Sequence, residues 1–99
     1  MEIVKKYDGD ILTAELSGRL ETITAPELDT AIRVELPNFS KLIFDFKGLE
    51  YLSSAGLRVL LFLQKECDKQ GKSMVIRNAA SNIIAIFQLT GFTEFLNIE

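Results

Sequence analysis

Asp45-Phe46-Lys47-Gly48-Leu49-Glu50-Tyr51-Leu52-Ser53-Ser54-Ala55-Gly56-Leu57-Arg58-Val59-Leu60-Leu61-Phe62-Leu63 reads as three things in succession. An apolar run from Leu42 closes at Phe46, a polar turn follows, and an amphipathic helix begins after two adjacent serines. A serine just ahead of a helix is a natural N-cap, because its oxygen accepts a hydrogen bond from a free N–H of the first turn. The same N–H groups and the positive end of the helix dipole favour an anion such as phosphate. A hydroxyl here is therefore structural, regulatory or both.

Downstream, Leu57, Leu60, Leu61 and Gln64 fall on one side of the helix, and Val59, Phe62 and Leu63 widen its apolar face. The polar face appears only at Gln64-Lys65-Glu66 and Asp68-Lys69-Gln70. Gly71 is the expected residue just past the helix end. Most of this surface is expected in the core, with a remainder near Ala55, Val59 and Phe62 as a candidate partner patch. Arg58 stands four positions after Ser54, on the same helix side. Upstream, Leu42-Ile43-Phe44 shows no polar alternation, as suits a central strand of Lys41 to Phe46. Asp45 either holds one of the serines or marks the strand's end.

Towards the N-terminus, Glu2 to Tyr7 and Ile11 to Ser17 flank Asp8-Gly9-Asp10, a hairpin signal. Leu12, Ala14 and Leu16 alternate with polar residues, so one face of that strand is buried. Gly18 to Ile23 reads as a loop. Thr24 to Glu27 reads as a capping box that opens a helix carrying Leu28, Ala31, Ile32 and Leu36 and stopped by Pro37. Towards the C-terminus, Met74-Val75-Ile76 reads as a strand, Ala79 to Leu89 as a helix with Ile83, Ile84, Ile86 and Phe87 inward, and Phe95 to Ile98 as a last short strand. The order β-β-α-β-α-β-α-β predicts an α/β domain spanning residues 1–99, its mixed sheet formed by the hairpin and parallel strands and flanked by helices.

The stretch centred on Tyr51-Leu52-Ser53-Ser54-Ala55-Gly56-Leu57 resembles the signature of STAS domains, above all the bacterial anti-sigma factor antagonists. Their pattern is an acidic or small residue, a phosphorylatable serine, a small residue, Gly and Leu. On this chain Ser53 takes the first position and Ser54 the phosphoacceptor, with Ser53 as the alternative, since many members have Asp there. The resemblance implies a binding module that, unmodified, captures an anti-sigma factor with serine kinase activity and so releases a sigma factor. Phosphorylation at Ser54 ends the capture, and a serine phosphatase resets it. It also implies a partner surface of Glu21, Thr22, Ser53, Ser54, Ala55, Gly56 and Arg58. Many members have Asp at the position of Glu21, whose other reading is a solvated loop charge. A lipid-transport ABC subunit usually has Thr in place of Ser54. A nucleotide- or metabolite-sensing domain would hold its ligand at the loops of Glu21 and Ser54.

Composition limits the other classes. Ninety-nine residues hold one core. Apolar residues at 47% and charged residues at 25% make a globular balance. A net charge of −3 without a basic cluster argues against nucleic-acid binding. No run approaches the roughly 20 apolar residues of a membrane span. The N-terminus lacks the apolar core of a signal peptide, so a cytoplasmic location without membrane insertion is expected. Cys67 has no partner for a disulfide and falls at a helical core position. The absence of histidine removes Ser–His and Cys–His pairs and most zinc sites. Gly71-Lys72-Ser73 lacks the leading glycine of a phosphate-binding loop and precedes a strand. No enzyme, cofactor or metal site is expected, and the free protein is expected to be a monomer.

Overall fold

A computed structural model describes Met1 to Glu99. Its elements are β1 (Glu2–Asp8), β2 (Ile11–Leu20), α1 (Ala25–Arg33), β3 (Lys41–Leu52), α2 (Ser54–Lys69), β4 (Ser73–Arg77) and α3 (Ser81–Thr90), with 3-10 turns at Leu36–Asn38 and Phe92–Glu94. The strands lie in the order β1-β2-β3-β4, antiparallel between β1 and β2 and parallel thereafter. The mixed α/β sheet expected from the element order is present. The β1–β2 loop is Gly9-Asp10. Gly9 adopts a φ of 59°, the left-handed conformation that a two-residue hairpin asks of glycine there.

Strand register explains where the core sits. Leu12 and Ala14 pair with Leu42 and Phe44, which in turn pair with Met74 and Ile76. Successive strand side chains point to opposite faces, so these six share one face, and all are buried. Leu28 and Ile32 of α1, Leu57, Leu60, Leu63 and Cys67 of α2, and Ile83 and Phe87 of α3 join them in one cluster of 23 residues. The opposite face carries Thr13, Glu15, Ile43, Asp45, Val75 and Arg77, of which only Ile43 is buried. Burial lifts the Cys67 thiol to about 11, in keeping with a core residue rather than a reactive one.

The expected polar turn after Phe46 is instead strand. β3 continues to Leu52, pairing Gly48 with Ser17, Leu49 with Gly18, Tyr51 with Arg19 and Leu52 with Leu20. Irregularities between Glu15 and Ser17 and between Gly18 and Arg19 interrupt the ladder. They change the spacing of buried β3 residues from two to three: Phe46, Leu49, Leu52. Lys47-Gly48-Leu49-Glu50 therefore shows no strand period although it is strand. Gly48 is required because a Cβ there would stand 2.8 Å from the Ser17 Cβ.

Asp45 performs neither role expected of it. Its Oδ1 accepts from the Lys47 N–H at 3.0 Å and from Asn78 Nδ2 at 3.1 Å, which fixes the β3–β4 edge away from the serines. At the other end of the chain the last strand shrinks to a single bridge, Ile76 to Ile98. α1 ends at Arg33, and Pro37 sits in the following 3-10 turn rather than stopping the helix itself. α2 closes as expected, with Gly71 in the left-handed region at a φ of 69°. The Lys72 N–H donates to the Cys67 carbonyl at 2.8 Å, and the Gly71 N–H to that of Asp68 at 3.2 Å. These bonds satisfy carbonyls that the helix end would otherwise leave free.

Candidate functional site

The two serines divide the labour at the start of α2. Ser53 has extended backbone (φ −94°, ψ 173°), and its Oγ accepts from the Gly56 N–H at 3.3 Å. It is the N-cap. Its own N–H donates to the Leu20 carbonyl at 3.0 Å, tying the helix start to the end of β2. Ser54 is the first helical residue, is exposed, and its hydroxyl has no hydrogen-bond partner in the chain. No acidic residue occupies the first turn, so the positive end of the helix dipole is uncompensated there.

Gly56 is buried, and its place in the stretch follows from packing. An ideal Cβ would lie 2.8 Å from Leu20 Cγ, 2.8 Å from Leu52 Cδ1 and 3.0 Å from the Leu20 carbonyl oxygen. Only glycine lets the first turn of α2 settle this closely on the ends of β2 and β3. Gly56 therefore shapes the surface from beneath.

Glu21, Thr22 and Thr24 come from the loop between β2 and α1. Thr24 occupies the helix-start position but caps nothing, so the expected capping box with Glu27 does not form. Its Oγ1 turns back into the loop, donating to the Arg19 carbonyl at 2.7 Å and accepting from the Glu21 N–H at 2.9 Å. Glu21 is half-buried, and its Oε2 meets Arg19 Nε at 3.3 Å. The same guanidinium lies 4.1 Å from the centroid of the Tyr51 ring, within cation–π range. Glu21 is thus a paired carboxylate rather than a free loop charge. Thr22 and Ile23 are exposed, Ile23 to 77%.

Between α1 and α2 runs an open groove of about 340 Å³. Ala25 and Pro26 form its α1 wall, and Ala55, Val59 and Phe62 its α2 wall. Thr22 and Arg58 also border it, and Asp29 and Arg33 stand at the α1 rim. Phe62 is half-exposed, at 51%, and borders this groove rather than filling the core. Among the residues singled out from the sequence, Thr22, Ala55, Arg58, Val59 and Phe62 meet here; Glu21, Ser53, Ser54 and Gly56 do not line it. Sequence reasoning missed Tyr51, Arg19, Pro26, Asp29 and Arg33. The Asp29–Arg33 pair had a readable i, i+4 signal, and it closes with contacts of 2.8 and 2.9 Å. Arg19 and Tyr51 meet only because β3 runs on past Phe46.

No helix is long and apolar enough to cross a membrane. In sequence, the chain is 27% identical over 96 residues to the anti-sigma-B factor antagonist of Bacillus subtilis (strain 168), covering 97% of this chain and 87% of the relative. In structure, it matches the anti-sigma factor antagonist SpoIIAA in its unphosphorylated form with a TM-score of 0.84 at 15% identity, over 99% of this chain and 88% of the other. SpoIIAA of Bacillus in its phosphorylated form gives 0.78 at 15% identity, over 99% and 91%. The profile of the STAS domain family matches residues 2–99. The signature around Ser53 and Ser54, the sheet order and this match along the chain agree: the protein belongs to the STAS domain family.

Proposed function

We propose that the protein is an anti-sigma factor antagonist that binds an anti-sigma factor with serine kinase activity, releasing a sigma factor, until phosphorylation at Ser54 ends the binding. A serine phosphatase would return it to the binding form. The observation that carries this reading is the separation of tasks at adjacent serines. Ser53 holds the helix, while Ser54 offers an exposed, unbonded hydroxyl one residue before Ala55, the first α2 residue of the groove wall. The relatives named as antagonists support the partner class.

The chemistry of the switch follows from the site. A phosphate adds about 1.5–2 negative charges at pH 7. At a helix N-terminus these charges are favourable, so the fold is kept and the change is felt at the surface. Unmodified, the exposed Thr22 and the groove lined by Ala55, Val59 and Phe62 receive the partner; modified, the same surface meets it with bulk and charge.

Intact-mass and phosphopeptide analysis of the protein from its own cell tests the reading. One added phosphoryl group on Ser54 is the expected result, and Ser54→Ala should keep partner binding while abolishing the modification. Ser54→Asp should weaken binding. Modification at Ser53 would move the acceptor onto the capping residue, and no modification under any growth condition would sink the switch.

A further inference from the structure

We propose that Arg58 is the intrachain partner of a phosphate on Ser54, and that this pairing withdraws its guanidinium from the mouth of the α1–α2 groove. The proposal rests on the reading of Ser54 as the modified residue. It starts from helix geometry. Residues four apart on a helix have Cβ atoms about 5–6 Å from each other. Helical side chains also lean towards the N-terminus, so the long Arg58 side chain, which borders the groove, can reach back over the turn that carries Ser54.

The charges around it select Arg58. Arg19 is held by Glu21 and by the Tyr51 ring. Arg33, on the α1 rim, is chelated by both carboxylate oxygens of Asp29. Arg58 alone among the arginines at this end is exposed without an ion pair in the chain. Its planar fork matches two phosphate oxygens, a geometry that a lysine does not offer. An exposed pair of this kind adds little to stability. Its effect is positional, because Arg58 borders the groove with Ala55, Val59 and Phe62. Modification then changes the groove twice: a phosphate arrives on the residue next to Ala55 of its wall and a cation leaves its mouth.

Phosphoserine placed at position 54 during synthesis tests this without a kinase. The 31P titration midpoint of the native phosphoprotein should lie below that of its Arg58→Gln counterpart by roughly half a unit. Lys65→Gln removes the same unit of charge from the exposed part of α2 and should leave the midpoint near the native one. Phosphorylation should displace the Val59 methyl and Phe62 ring resonances in the native chain and markedly less in Arg58→Gln. Equal midpoints for native and Arg58→Gln, or an equal displacement by Lys65→Gln, overturn the pairing. Equal groove shifts in native and Arg58→Gln overturn its effect on the groove. Either failure leaves modification of Ser54 standing, whereas absence of phosphorylation in the cell would remove the functional reading and leave these measurements intact.

Discussion

Replacing Gly56 by alanine tests whether close packing, rather than chain flexibility, explains the glycine beside the serines. On an isolated helix the change would be favourable, since alanine gains about 1 kcal/mol of helix propensity over glycine. Here the added methyl meets three atoms at once, at 2.8, 2.8 and 3.0 Å. Two belong to leucine side chains that are themselves buried, at 0% and 3% exposure for Leu20 and Leu52, with little room to yield. The third is the Leu20 carbonyl oxygen, fixed because it accepts the Ser53 N–H. Relieving such overlap costs about 1–3 kcal/mol in a packed core. We place the overlap near the top of that range because a backbone atom must move with the side chains. The net expectation is a loss of about 1–2 kcal/mol after the helix gain is subtracted. For a domain of this size that lowers Tm by roughly 4–15 °C. Urea unfolding followed by circular dichroism should show a lower midpoint with an unchanged slope. A Gly56→Ala protein as stable as the native one would refute the packing argument.

Other substitutions separate the remaining roles. The Ser53 capping bond is long, so Ser53→Ala should cost about 0.5–1 kcal/mol in urea unfolding, the low end for a lost cap. Ser54→Ala should change stability by under about 0.5 kcal/mol, and Ser54→Asp should raise it by about 0.3–1 kcal/mol through the uncompensated helix dipole. Phe62→Ala should leave stability nearly intact yet weaken anti-sigma factor binding about tenfold or more by calorimetry, as loss of an aromatic anchor does. Lys5, Tyr7 and Glu35 tie β1 to the end of α1, with Tyr7 Oη 2.7 Å and Lys5 Nζ 3.0 Å from the Glu35 carboxylate. Partial burial and then Glu35 push the Tyr7 hydroxyl from 10.0 to about 12. Its contribution is therefore present below the ordinary tyrosine value and lost as pH rises towards the raised one. The hydrogen bond from Tyr7, then that from Lys5, holds Glu35 below its usual value. Its contribution is lost as pH falls into the acid range. Stability measured against pH should fall on both sides, and Tyr7→Phe should flatten the alkaline limb.

The architecture was legible where one side-chain period ran unbroken. Leu12, Ala14 and Leu16 showed the core face of β2, and Leu57, Leu60 and Leu63 that of α2. It was illegible where bulges broke the period: Leu49 and Leu52 are both buried but sit three apart. Arg19 and Tyr51 were lost with that error, because their contact depends on the pairing of two strand ends far apart in sequence. Thr24 illustrates a second limit. Its spacing to Glu27 fits a cap, yet its hydroxyl bonds a loop carbonyl and a loop N–H instead, the competition such short polar side chains offer. The two serines could be located from sequence, but which of them caps the helix depended on the backbone angle at Ser53.

The anchoring of Ser53 to β2 has a consequence for recognition. The hydroxyl of Ser54 stands on a shelf formed where two central strands and a helix meet, held by the Ser53–Leu20 bond. An enzyme that modified Ser54 as proposed would have to bring its own cleft to a folded surface, because Ser54 does not hang on an extendable loop. If Ser54 is modified as proposed, the surface such an enzyme would meet is a shape assembled from β2, β3 and α2. The heptapeptide from Tyr51 to Leu57, cut free, would keep every letter of the signature and lose that shape.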